Sequence, residues 1–277
     1  MRVRIIVGII LLPVLPLVLF FAPDWTLAAV ISLISALSVW ELLGNTGFAP
    51  KKRLSACAVV FAACVPVWFY IRPCLGDYAG SLRLAGPLLF LMALFGEAVA
   101  DHERVTFKHI GVIFTTAVCI PSFFSSLIRV MAFAGGKYVI MLPFIAALLG
   151  DTCAYFTGSA WGRHKLTPVS PKKTVEGSVG GLIGVLAGMV LYGVLMQTVF
   201  GRAVSYPLLL LYGLAGSLAG QLGDLSMSLV KREFQIKDFG SLLPGHGGVL
   251  DRFDSLLFAA PVLEVLIILL PAIEAVS

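Results

Sequence analysis

Long apolar runs separated by short polar segments organise this chain. The runs cover residues 5–23, 25–43, 54–71, 84–99, 110–128, 138–162, 177–201, 203–230 and 253–273. A helix needs roughly 20 apolar residues to cross a bilayer. The pattern therefore predicts an all-α polytopic integral membrane protein with about nine transmembrane helices. The fourth run is the weakest, because only 84–96 is free of charge, and it reads as short, tilted or partly interfacial. Arg2 and Arg4 precede the first run as they would in a signal peptide. No A-x-A-like cleavage site follows, so the run is read as an uncleaved helix kinked at Pro13 and Pro16.

Composition agrees with that pattern and excludes its rivals. Of 277 residues, 59% are hydrophobic and 13% charged. A soluble domain is about 45–50% apolar and about 25% charged, and a disordered chain is poorer still in apolar residues. The net charge of +5 would suggest nucleic acid in a soluble protein, but here it reads as loop charge and no nucleic acid partner is expected. With nine spans and a cytoplasmic N-terminus, only Arg72, Arg83, Arg129, Lys137 and Arg202 fall outside, which leaves 15 of the 20 basic residues inside. That bias supports both the count and the orientation. Residues 1–135 then form an N-terminal region of about five spans. Residues 136–277 form a C-terminal region of about four, with cytoplasmic loops at 163–176 and 231–252.

Cys57, Cys64, Cys74, Cys119 and Cys153 are odd in number and contain no CxxC, so they read as small apolar fillers. Glycines recur four apart at Gly158 and Gly162, at Gly180, Gly184 and Gly188, and at Gly216 and Gly220. Such rows let helices approach closely, either across a homodimer face or inside one bundle; the bundle is the preferred reading.

The scarce polar residues concentrate in the two inside loops. Pro168 and Pro171 forbid a regular helix in the first. Ser170, Lys172, Lys173 and Thr174 offer two cations and two hydroxyls suited to phosphate oxygens, although inside-positive charge and a turn explain them equally well. Asp224 is embedded in an apolar run, where a carboxylate is costly and usually faces a bundle interior or a water-filled cavity. Ser217, Gln221 and Ser228 lie on or near its helix face. Asp251 and Asp254 open the last run three residues apart, which also suits helix N-terminal capping. Converging carboxylates need cations, and oxygen ligands suit Mg²⁺ or Mn²⁺, singly or as a pair. Asp151 is either a third acidic contributor or the hydrogen-bonded partner of a neighbouring helix. Glu264, further from the loops, suits a structural or proton-related role. His246 lies among glycines that let the backbone approach a ligand. Asp101-His102-Glu103 reads as a charged loop.

The segment Ser228-Leu229-Val230-Lys231-Arg232, then Lys237-Asp238-Phe239-Gly240, then Leu243-Pro244-Gly245-His246-Gly247-Gly248-Val249-Leu250-Asp251-Arg252-Phe253-Asp254, resembles the signature of phosphatidate cytidylyltransferases, also called CDP-diacylglycerol synthases. Ser170-Pro171-Lys172-Lys173-Thr174-Val175-Glu176-Gly177 is similar to a second motif of that family, with Val175 where an aromatic is usual. The resemblance covers about 140–258. It implies transfer of a cytidylyl group from CTP to phosphatidic acid at the inner face of the membrane, giving CDP-diacylglycerol and pyrophosphate for phospholipid biosynthesis. It also implies roles for named residues. Asp224, Asp251 and Asp254 would hold Mg²⁺. Asp224, Asp251, Lys173 and His246 would act in catalysis. Ser170, Lys172, Lys173, Thr174, Lys231, Arg232, Lys237, Gly247, Gly248 and Arg252 would contact the phosphates of CTP and lipid. The rival reading, a transporter using Asp151, Asp224 and Glu264 as a proton or cation path, leaves the long polar loop unexplained.

Overall fold

The computed structural model describes residues 22–76, 78–242 and 247–273. Among them every named element is a helix: α1 (Asp24–Asn45), α2 (Lys52–Ile71) running into a 3₁₀ turn (Arg72–Leu75), α3 (Tyr78–Leu82), α4 (Ala85–Ala100), α5 (Phe107–Phe124), α6 (Ser126–Met131), α7 (Gly136–Val139), α8 (Met141–Trp161), α9 (Val175–Phe200), α10 (Tyr206–Glu233) and α11 (Leu250–Leu269). In lipid a backbone must satisfy its own hydrogen bonds, so apolar runs of this length become helices.

Among the described residues, seven stretches are long and apolar enough to cross a membrane: Asp24–Asn45, Lys52–Leu75, Tyr78–Ala100, Phe107–Met131, Gly136–Trp161, Val175–Phe200 and Tyr206–Glu233. The weak fourth run becomes α4, preceded by the short α3. The last run forms α11, which carries Asp251, Arg252, Asp254 and Glu264 and is not among the seven. Nearly all of the first run, 5–23, lies outside the described residues.

The chain forms two compact units, Met1–Ile128 with Ile236–Arg252, and Arg129–Gln235 with Phe253–Ser277. In the first unit, α1 packs on α2, α5 packs against both, and α4 packs on α5. The face of α2 buried there is Leu54, Ala58, Ala62 and Pro66, a row spaced four apart. Lys51, beside α2, reaches the far end of α4 and pairs with Asp101 at 2.8 Å and Glu97 at 3.3 Å. Asp101, read above as part of a charged loop, thus ties α2 to the end of α4.

In the second unit, α8 and α9 form the closest helix pair, and α10 packs on both. Glycine makes this approach possible. A Cβ at Gly180, Gly184 or Gly188 would lie 2.2 Å from Thr157, 2.3 Å from Cys153 or 2.3 Å from Leu149. Gly216 faces Ala146 and Leu263, and Gly220 faces Ser255. These small-residue rows are occupied by neighbours in the same chain, as the bundle reading expects, and they lend a homodimer no support. All five cysteines are free thiols.

Arg129 holds Glu264 with two prongs, Nε to Oε1 at 2.5 Å and Nη2 to Oε2 at 2.6 Å. A planar guanidinium matches a carboxylate in this way and neutralises it within the bundle. The pairing fits the structural one of the two roles left open for Glu264.

Candidate active site

The first polar loop folds back on itself. Lys165 and Thr174 form an isolated bridge, Leu166 N–H donates to the Lys173 carbonyl at 3.0 Å, and Val175 N–H donates to the His164 carbonyl at 2.9 Å. Lys173 N–H closes the tip onto the Ser170 carbonyl at 3.0 Å. Glu176 fastens the base, accepting from the backbone of Arg163 at 3.1 Å, the backbone of His164 and its Nδ1 at 2.6 Å. Thr174 is the N-cap of α9, and its Oγ1 accepts from Gly177 N–H at 3.1 Å. Its side chain also fills the space that a Cβ on Gly158 or Gly162 would need. Thr174 is therefore first of all a helix cap, and its one hydroxyl proton remains to be donated.

This architecture delivers Lys172 and Lys173 to a cavity of about 380 Å³ in the second unit. The cavity is also lined by Asp151 and Tyr155 of α8, Thr174, Ser178 of α9, and Gln221 and Asp224 of α10. Lys173 Nζ pairs with Asp224 Oδ2. Ser228 Oγ donates to Asp224 Oδ1 at 3.4 Å, and Gln221 Nε2 donates to Ser217 Oγ at 3.2 Å and bonds with Ser178. The face of α10 read from spacing alone thus carries two hydrogen-bonded pairs, Ser217 with Gln221 and Asp224 with Ser228.

Asp151 accepts from Ser255 Oγ at 3.0 and 3.1 Å, which makes it the partner of a neighbouring helix, and it lines the cavity as well. Asp254 is buried, and its charge acts on those of Asp224, Asp151 and Lys231. Arg232 Nε donates to the Val169 carbonyl at 3.3 Å and so braces the first loop. Ser170 is half-buried near the loop tip.

The rest of the signature belongs to the first unit. Asp251 Oδ2 accepts from Phe239 N–H at 2.8 Å and Gly248 N–H at 3.1 Å. Gly247 has φ +84°, where glycine is favoured. Lys237 and Arg252 are exposed. His246 lies outside the described residues.

Two residues were missed by the sequence reading. Glu176 belonged to a quoted motif without a role. Glu41, in the second apolar run, is fully buried and accepts from the backbone of Val249 at 2.9 Å and Leu250 at 3.0 Å. The signal was available: an acid inside an apolar run, as at Asp224.

The carboxylates and hydroxyls that line the cavity offer oxygen ligands, the chemistry of a hard cation. Among the described residues no group of three or more His, Cys, Asp or Glu side chains is placed to hold an ion. Asp224 and Asp254 lie near enough to interact by charge, and magnesium typically takes one or two carboxylates and completes its shell with water and substrate phosphate.

The Cytidylyltransferase family matches residues 2–270. A phosphatidate cytidylyltransferase of Staphylococcus haemolyticus (strain JCSC1435) is 34% identical over 274 residues, covering 97% of this chain and 99% of its own. One of Bacillus subtilis (strain 168) is 35% identical over 210 residues, 73% of this chain and 76% of its own. One of Staphylococcus aureus (strain COL) is 48% identical over 134 residues, 48% of this chain and 50% of its own.

Proposed function

Since the chain belongs to the cytidylyltransferase family, we propose that it transfers the cytidylyl group of CTP to phosphatidic acid in phospholipid biosynthesis, using the lysine-lined cavity of the second unit. The products are CDP-diacylglycerol and pyrophosphate. The observation that carries the reading is the cavity itself, where Lys172, Lys173 and Asp224 meet among polar groups of α8, α9 and α10.

The chemistry asks little of a general base. The nucleophile is an anionic phosphate oxygen of the lipid, and it attacks the α-phosphorus of CTP as the bond to pyrophosphate breaks. The obstacle is repulsion between two polyanions, so positioning and electrostatic stabilisation dominate. Lys172 and Lys173 neutralise phosphate charge, and Ser170 and Thr174 donate hydroxyl hydrogen bonds to it. Lys231 and Arg232 add positive charge near the same loop. Asp224 holds Lys173 until substrate phosphates compete for the ammonium. A magnesium ion held by Asp224 and Asp254 would supply further charge neutralisation and stabilise the pyrophosphate leaving group. For the first unit, the family resemblance supports phosphate contacts from Lys237, Gly247, Gly248 and Arg252, cation binding by Asp251 and a catalytic role for His246.

The surplus of basic residues in the inside loops supports an active face toward the cytoplasm. Detergent-purified protein should convert labelled CTP and phosphatidic acid to CDP-diacylglycerol in a magnesium-dependent reaction. Absence of product under all lipid conditions would overturn the proposal.

A further inference from the structure

Glu41 stands near the end of α1 with no exposed surface, and each of its two oxygens accepts one backbone N–H from the start of α11. The N–H groups of a helix's first turn have no partner within the helix, and the dipole there favours an anion. One turn further along α1, Asn45 Nδ2 donates to the carbonyl of Phe239. The same Phe239 donates its N–H to Asp251. Helix α1 therefore grips the signature segment at 239 and again at 249–250.

The glycines of that segment make the grip possible. A Cβ on Gly240 would lie 2.3 Å from the Glu41 carboxylate, and one on Gly248 would lie 2.5 Å from it. Any larger residue at either position would displace the acid. This is a reason for glycine at 240 and 248 that does not depend on a phosphate.

We infer that Glu41 is a positioning residue of the reaction: it fixes the first turn of α11 and, through it, the carboxylate of Asp251 and the guanidinium of Arg252. This rests on the function proposed above. Glu41 touches no reacting atom in this account, and it acts through Val249 and Leu250.

The test compares full-length wild type with Glu41→Gln and Asn45→Ala in detergent, with CTP, phosphatidic acid and Mg²⁺. Glu41→Gln keeps the shape but turns one acceptor into a donor that faces an N–H. Its kcat should fall by roughly 10- to 100-fold, as misplacement of a reacting constellation does. The KM for phosphatidic acid and the melting temperature should hold. Hydrogen exchange should quicken at the amides of Val249 and Leu250 and not along the remainder of α11. Asn45→Ala, the milder change, should quicken exchange around Phe239 with a smaller loss of kcat. Unchanged kcat in both variants would overturn the inference. So would a loss of kcat that follows the melting temperature while exchange at 249–250 stays as in wild type. A wild type that forms no CDP-diacylglycerol would count against the proposed reaction instead, because exchange is read without turnover.

Discussion

Lys173 and Asp224 form an ion pair in the cavity of the second unit, with side chains 27% and 22% exposed. The two side chains share one charged contact, so they should behave as one group. Lys173→Ala and Asp224→Asn should each lower turnover by roughly 10²–10³-fold, as loss of one preorganised electrostatic contact does. The double variant should lose little more than either single one. Steady-state rates at saturating CTP, with membrane insertion checked by fractionation, test this. Near-normal turnover in Asp224→Asn would refute the assignment.

The Arg129–Glu264 pair makes the opposite prediction. It links α6 to α11 within the second unit, and Glu264 is buried. Removing one member leaves an uncompensated charge, which costs about 3 kcal/mol when the site is mostly desolvated. Glu264→Ala should lower the melting temperature in detergent, while turnover per folded molecule remains close to wild type. A loss of turnover at unchanged stability would return Glu264 to the proton path of the transporter reading.

The glycine row of α9 can be tested against a glycine with room to spare. Gly184→Ala would drive a Cβ to within 2.3 Å of the Cys153 sulfur and should destabilise by about 1–3 kcal/mol. Cys153→Ala should relieve part of that loss. Gly111 on α5 has nothing within 4 Å of a built Cβ, so Gly111→Ala should stabilise by about 0.4–1 kcal/mol. Thermal melts of the variants decide the matter.

Asp101 gives a dependence on pH. The hydrogen bond from Lys51, aided by the charges of Lys51 and Arg104, holds its carboxyl below the ordinary value of 3.8. A carboxyl lowered by folding stabilises the protein at neutral pH, and that contribution is lost as pH falls through the lowered value. The stability gap between wild type and Asp101→Asn should therefore be present at pH 7 and close in acid. A gap that widens in acid would contradict the pairing.

The spans were legible because lipid leaves an apolar run one way to satisfy its backbone. Asp224 was legible for a related reason, since an acid in such a run needs a purpose. Its partner was not: Lys173 lies in a loop whose fold depends on Glu176, and neither residue carries a periodic signal. Glu41 shows both sides of the matter. Its burial in α1 could have been flagged by the logic applied to Asp224, but its donors lie 208 and 209 residues away in the chain. Local pattern cannot report a contact of that span. Thr174 was read as a phosphate ligand because its neighbours are cations, whereas its position before Val175-Glu176-Gly177 also marked a helix cap.

The long separation between Glu41 and Val249 also bears on how the protein is made. At synthesis rates of about 5–20 residues per second, the separation of 208 positions takes roughly 10–40 s to span. Through that interval α1 carries an acid whose eventual hydrogen-bond donors do not yet exist. The nascent helix must satisfy the Glu41 carboxyl with water or with a temporary neighbour. The signature segment can take its final shape only when the first turn of α11 has been made.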